Sequence, residues 1–117
     1  MAYLLLIQEP VGQREMLTEA EGHAAYASML KFADELKARG ILRGVESLAS
    51  LATATRVAVR EGRLQIIDGP FAEAKEMVGG FFLIDCATQA EAVEIARHCP
   101  AAAWCTVEVR SLGPCYA

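Results

Sequence analysis

The sequence predicts an α+β fold, an antiparallel sheet with two helices on one face. Three observations carry this. Two segments with helical spacing follow a capping signal, at Thr18 and at Thr88. Six short apolar or alternating runs read as strands. Two helices cannot cover both faces of a sheet of about six strands, so they share one.

Tyr3 to Ile7 is a continuous apolar run, too short for a helix and suited to a strand buried on both faces. Glu9 to Leu17, with Pro10 and Gly12, reads as a loop. Thr18 and Glu21 then fit a capping box, and the helix they open runs to about Arg39. Ala25, Met29, Phe32, Ala33 and Leu36 form its inner stripe, with Lys31, Asp34, Glu35 and Lys37 largely opposite. Gly40 suits the left-handed position that ends a helix. Ile41 to Ser47 is a strand, whereas Leu48 to Ala54 shows no pattern. Thr55 to Arg60 alternates, Val57 and Val59 against Arg56, Ala58 and Arg60. Glu61-Gly62 fits a two-residue hairpin turn into a returning strand, Arg63 to Ile67. Asp68-Gly69-Pro70 breaks the chain. Gly79 to Asp85 reads as a central strand, its glycines suiting a bulge or a close backbone approach. Thr88 and Glu91 form a second capping box. The helix after it reaches about His98 with Ala92, Val93 and Ala96 inward, and Pro100 stops it. Thr106 to Arg110 is the last strand.

Composition bounds the function. The 117 residues read as one domain, 1–117, with 54% apolar and 22% charged residues, which excludes a disordered chain. Eleven basic against 15 acidic residues, a net charge of −4, argue against nucleic-acid binding. The N-terminal apolar run has no basic flank and ends at Gln8, so neither a signal peptide nor a membrane span is expected. Cys86, Cys99, Cys105 and Cys115 form no C-x-x-C pair and have no clustered histidines. Free thiols in a cytoplasmic protein are expected, with no metal and no cofactor. Gly79 and Gly80 do not form a dinucleotide loop. Strands with apolar residues on both sides would leave a large exposed patch on the helix-free face, and a second copy packed there is the expected remedy.

The stretch Asp68 to Asp85, DGPFAEAKEMVGGFFLID, resembles the diagnostic segment of the YCII-related, DGPF-type family of small bacterial proteins. Ala2 to Ile7, the helix ending Glu35-Leu36-Lys37-Ala38-Arg39-Gly40, Thr53 to Val59, Ala90 to Pro100 and Val107 to Arg110 match in order, so the resemblance spans nearly the whole chain. It implies a ferredoxin-like α+β fold assembled as a dimeric α+β barrel. Some members of the family are encoded beside extracytoplasmic-function sigma factors, and the wider superfamily includes enzymes acting on lactones or chlorinated aromatics. The shorter branch has a proposed His–Asp pair. Met29 stands at the corresponding helix position here, so the resemblance does not supply that histidine.

Asp68 is the leading candidate for chemistry: a carboxylate at a strand end beside Gly-Pro can act as a general base, or simply start the turn. Lys75 suits an anionic substrate and Glu73 could assist Asp68; the alternative is a solvated charged loop. His23, at the start of the first helix, is a surface histidine or a further titrating group. His98 suits a helix C-terminus. Arg56 and Arg60 share one strand face and suit an anion or solvent. Trp104 and Tyr3 suit either a ligand pocket or the core. Together these readings point to a homodimer with a small-molecule-binding or cofactor-free catalytic cleft near the DGPF loop. Isomerase- or lyase-type proton transfer on a small anionic molecule is the chemistry expected there. The alternative is a non-catalytic accessory protein in sigma-factor-linked regulation, acting through a regulatory protein partner.

Overall fold

Residues 1–116 are described by the computed structural model. The strands are β1 (Ala2–Pro10), β2 (Leu42–Ser47), β3 (Thr55–Arg60), β4 (Arg63–Asp68), β5 (Glu76–Asp85) and β6 (Thr106–Ser111). The helices are α1 (Glu19–Ala38) and α2 (Gln89–Arg97). Four strands form one antiparallel sheet in the order β2-β5-β1-β6. With β3 and β4 set aside, the chain is a βαββαβ unit whose strands lie in the order 4-1-3-2, the ferredoxin-like arrangement. The six runs do not make one six-stranded sheet. β3 and β4 pair only with each other and form a separate hairpin.

α1 begins as its residues dictate. The Thr18 hydroxyl accepts from the Glu21 N–H at 3.1 Å, and the Glu21 carboxylate accepts from the Thr18 N–H at 2.9 Å. A cap of this kind stabilises by about 1 kcal/mol. The second box is displaced: Thr88 accepts from the Glu91 N–H, but Glu91 reaches the Ala87 N–H instead of that of Thr88. Both helices pack on one face, where Phe32, Ala33 and Leu36 of α1 and Ala92, Ile95 and Ala96 of α2 meet Tyr3, Leu5, Ile7, Phe82 and Ile84. Val93, expected inward, is half exposed. From Ala92 the three- and four-residue steps lead to Ile95 and Ala96, and Val93 falls beside the stripe.

The opposite sheet face carries Leu4 beside Leu83 and Leu6 beside Phe81, all half-buried. The molecule is flat, 47 × 42 × 18 Å, as one sheet, one helix layer and a lateral hairpin require. In that hairpin Val57 pairs with Ile66 and Val59 with Leu64, so these four share one face. Glu61 (φ 52°) and Gly62 (φ 74°) both take the left-handed conformation of a type I′ turn. Among the described residues, no helix is long and apolar enough to cross a membrane.

Candidate functional site

β1 runs three residues past its apolar stretch. Its alternation continues Tyr3, Leu5, Ile7, Glu9 on the helix side, so a carboxylate comes to lie on the buried face, 8% exposed. The chain then turns, with the Gln13 N–H on the Pro10 carbonyl, and a 3-10 turn at Arg14–Met16 brings Arg14 back onto Glu9. Arg14 Nε donates to Glu9 Oε1 (3.1 Å) and Oε2 (3.0 Å), and Nη2 donates to Oε1 (2.6 Å). The same guanidinium donates to the carbonyls of Leu48 (2.7 Å) and Gly79 (3.3 Å), tying the ends of β1, β2 and β5 together.

This ion pair sits against a bulge in β5. Register between β1 and β5 shifts at Ile7/Gln8, where Ile7 faces Gly80 and Gln8 faces Val78, leaving Gly79 as the extra residue. A Cβ on Gly79 would run into the Glu9 carboxylate, and one on Gly80 would lie 2.7 Å from the Glu46 carbonyl. The two glycines therefore give both the bulge and the close approach expected of them.

Glu9 and Arg14 line a cleft of about 610 Å³ between the sheet and the N-terminal half of α1. Ile7, Val45 and Phe82 form one wall, Tyr26, Met29 and Leu30 the other, and Trp104 and Cys105 close one end. Gln13 secures that end by donating to the Trp104 carbonyl at 2.7 Å. An apolar cavity with a few fixed polar groups is the usual form of a small-molecule site. Arg14 has spent its donors on Glu9 and two carbonyls, save one N–H. The Glu9 carboxylate keeps lone pairs free to accept from a ligand hydroxyl or N–H.

Cys105 has its thiol pushed up to about 11, chiefly by burial and then by the Glu9 charge and Cys99. Burial likewise raises Cys99 and Cys86. All three prefer the neutral thiol in the folded state, so their contribution to stability is complete below the unfolded thiol range. It is lost as pH rises through the raised values. Stability should therefore fall from about pH 9 towards 11, within the range of free thiols and this raised one. At pH 8, iodoacetamide should label exposed Cys115 well before Cys99 and Cys105, read by peptide mass. Equal labelling of all three in the folded protein would contradict this.

None of Asp68, Glu73, Lys75 and His23 lines the cleft. Asp68 is exposed at the root of the hairpin and accepts from the Thr55 hydroxyl at 2.9 Å. Glu73 is exposed and accepts from Arg56 at 2.8 Å; its own backbone N–H and then Arg56 hold its carboxyl below the usual range. Arg56 also lies 3.7 Å over the Phe71 ring, so it bridges the hairpin root to the DGPF segment. Lys75 is exposed, and its carbonyl receives the Val11 N–H. His23 is exposed on α1, beside the lining residue Gly22. His98 contacts Glu94 at 3.2 Å. Tyr3 is core, whereas Trp104 lines the cleft, as does Met29. Glu9, Gln13, Arg14 and Cys105 were not among the expected site residues. The signal for Glu9 was the alternation that carries it onto the inward face.

Comparison with known proteins fits this architecture. An uncharacterised protein of Rhizobium meliloti (strain 1021) is 43% identical over 58 residues, which span 50% of this chain and 47% of that protein. The 5-chloro-2-hydroxyhydroquinone dehydrochlorinase TftG of Burkholderia phenoliruptrix AC1100, solved with 2,5-dihydroxybenzoquinone, superposes with a TM-score of 0.56. That match covers 97% of this chain and 94% of the other at 16% identity, and it establishes a shared fold. The YCII-related domain matches residues 1–114. The chain belongs to the YCII-related family.

Proposed function

We propose that the protein is a homodimer in which each protomer binds a small hydroxylated ring, or a molecule of similar size and polarity, in the cleft beside Glu9. The observation that carries this is the buried Glu9 carboxylate, fixed by three hydrogen bonds from Arg14 at the wall of an apolar cavity. Glu9, Glu21 and Glu46 against Arg14 leave the lining acidic, which favours a neutral donor ligand over an anion. The dihydroxybenzoquinone solved with a dehydrochlorinase of the same fold has the ring size such a cleft would accept, and an uncharged dihydroxybenzene of that size supplies the donor that Glu9 lacks. Glu9 accepts a hydrogen bond from the ligand hydroxyl. In a cofactor-free proton transfer it takes a proton from one ligand atom and returns it to another, so that no oxidant or reductant is consumed. The homodimer rests on the helix-free sheet face, where Leu4, Leu6, Phe81 and Leu83 form an apolar strip.

Calorimetric titration at pH 7 with hydroquinone and resorcinol, both uncharged there and able to donate, tests the site. Saturable binding to the wild type is expected. It should weaken about tenfold in Glu9→Gln, which loses a charged acceptor. Gly79→Ala should weaken it too, because the new methyl displaces the carboxylate. Equal affinity in all three proteins removes Glu9 from the site, and no binding to the wild type removes this ligand class.

A further inference from the structure

The chain carries two apolar surfaces that it cannot bring together itself. One is the hairpin face of Val57, Val59, Leu64 and Ile66, each between 58% and 65% exposed. The other is the cleft mouth, where Leu17, Tyr26, Leu30, Leu48 and Trp104 are also exposed. An isolated two-stranded hairpin is marginal in water and needs something to pack against. No residue of 55–68 lines the protein's own cleft. The hairpin is held at its root, where the Gly69 N–H donates to the Ala54 carbonyl at 2.7 Å. Leu51 leaves no room there for even a Cβ on Gly69.

The two regions also differ in charge. At the hairpin tip Arg60 faces Arg63 across the strands, a like-charge pair that destabilises an isolated hairpin. Neither forms an ion pair with another described residue. The segment that opens α1 beside the cleft is acidic, with Glu15, Glu19 and Glu21. Six residues per strand give the hairpin a reach of about 20 Å.

We infer that in the homodimer each hairpin lies across the mouth of the partner's cleft. Its apolar face covers the rim, and the arginines at its tip, which belong to the opposite face, stay in water near the acidic start of the partner's first helix. A two-fold axis makes the exchange reciprocal, so one contact type covers both surfaces in both copies. The site is then closed only by a second chain. Asp68 and Thr55 share the hairpin's apolar face and travel with it. This inference rests on the homodimer of the preceding section.

Trp104 is the protein's only tryptophan and lies in the cleft lining, so its fluorescence reads the closure directly. Sedimentation of the wild type comes first: a monomer at all concentrations overturns the homodimer and the exchange together. A dimer whose Trp104 is shielded from acrylamide, with severalfold stronger quenching in V57D/I66D, is the expected result. The milder V57T/I66T should shift quenching the same way, and circular dichroism checks both folds. A mixed dimer then separates exchange from closure by the chain's own hairpin. One chain carries W104F and an intact hairpin; the other keeps Trp104 and carries V57D/I66D. Shielded Trp104 in this mixed dimer supports the exchange. Freely quenched Trp104 there, or quenching unchanged by the hairpin substitutions in the homodimer, overturns it while leaving the homodimer in place.

Discussion

Phe82→Ala should destabilise the protein by about 3–5 kcal/mol, the loss typical of truncating a buried aromatic side chain. Phe82 is 3% exposed and lies on β5, between β1 and β2, opposite Leu5 and Val45. Its ring meets Phe32 of α1 edge-to-face at 5.2 Å between centroids, so the substitution removes a strand–helix contact as well as volume. Against a total stability of ~5–15 kcal/mol, that is a large fraction. Phe81, one residue earlier, points to the helix-free face. In the proposed homodimer Phe81→Ala should therefore act mainly on association, making the denaturation midpoint lower and less dependent on protein concentration than in the wild type. Urea unfolding of both variants at two concentrations checks the pair. A loss below about 1 kcal/mol for Phe82→Ala would mean that the strand faces are reversed.

Local chemistry made much of this fold legible. Thr18 with Glu21 marks where α1 starts, and the three- and four-residue steps from Met29 to Leu36 mark the face it buries. Glu61-Gly62 marks the hairpin, and Val57 and Val59 mark one face of it. Alternation says which side chains share a face but not which strand lies alongside, because pairing is set by contacts far apart in sequence. That is why β3 and β4 could be read as strands of the main sheet although they pair only with each other. The polar stretch from Gln8 masked the end of β1. Glu9 and Pro10 have loop composition, yet the ladder to β5 continues through Pro10 opposite Glu76.

The candidate site was harder to read for the same reason. Asp68, Glu73 and Lys75 stand out because they follow one another in a short motif. The cleft is instead assembled by contacts such as Arg14 to Gly79, 65 residues apart, and Gln13 to Trp104, 91 apart. A bulge at Gly79 and a carboxylate at an inward strand position are each visible locally. That they need each other emerges only when β1 and β5 are laid side by side. The hairpin exchange we infer would link the two regions, setting the arm that begins and ends at Thr55 and Asp68 against the Glu9 cleft of a second copy.

Arg14→Met should cost about 2–3 kcal/mol, less than the ~3–5 of a fully buried pair broken on one side. The discount follows from exposure: the Arg14 side chain is 35% exposed and Glu9 10%, so water can partly replace the lost donors. Three hydrogen bonds to Glu9 go, and the Leu48 and Gly79 carbonyls lose their donor as well. Methionine keeps the length of the stem, so the loss is of charge and hydrogen bonds more than of packing. Glu9→Gln alone should cost less, since the charge it strands is that of the more exposed Arg14, which keeps the Leu48 and Gly79 carbonyls as partners. Combining the two should then cost less than the sum of the single changes, because the charge stranded by removing Arg14 is no longer there. Urea unfolding of the four proteins in this cycle measures the coupling. Strict additivity would mean that Glu9 and Arg14 do not act as a pair, and the cleft would lose the element that fixes its carboxylate in place.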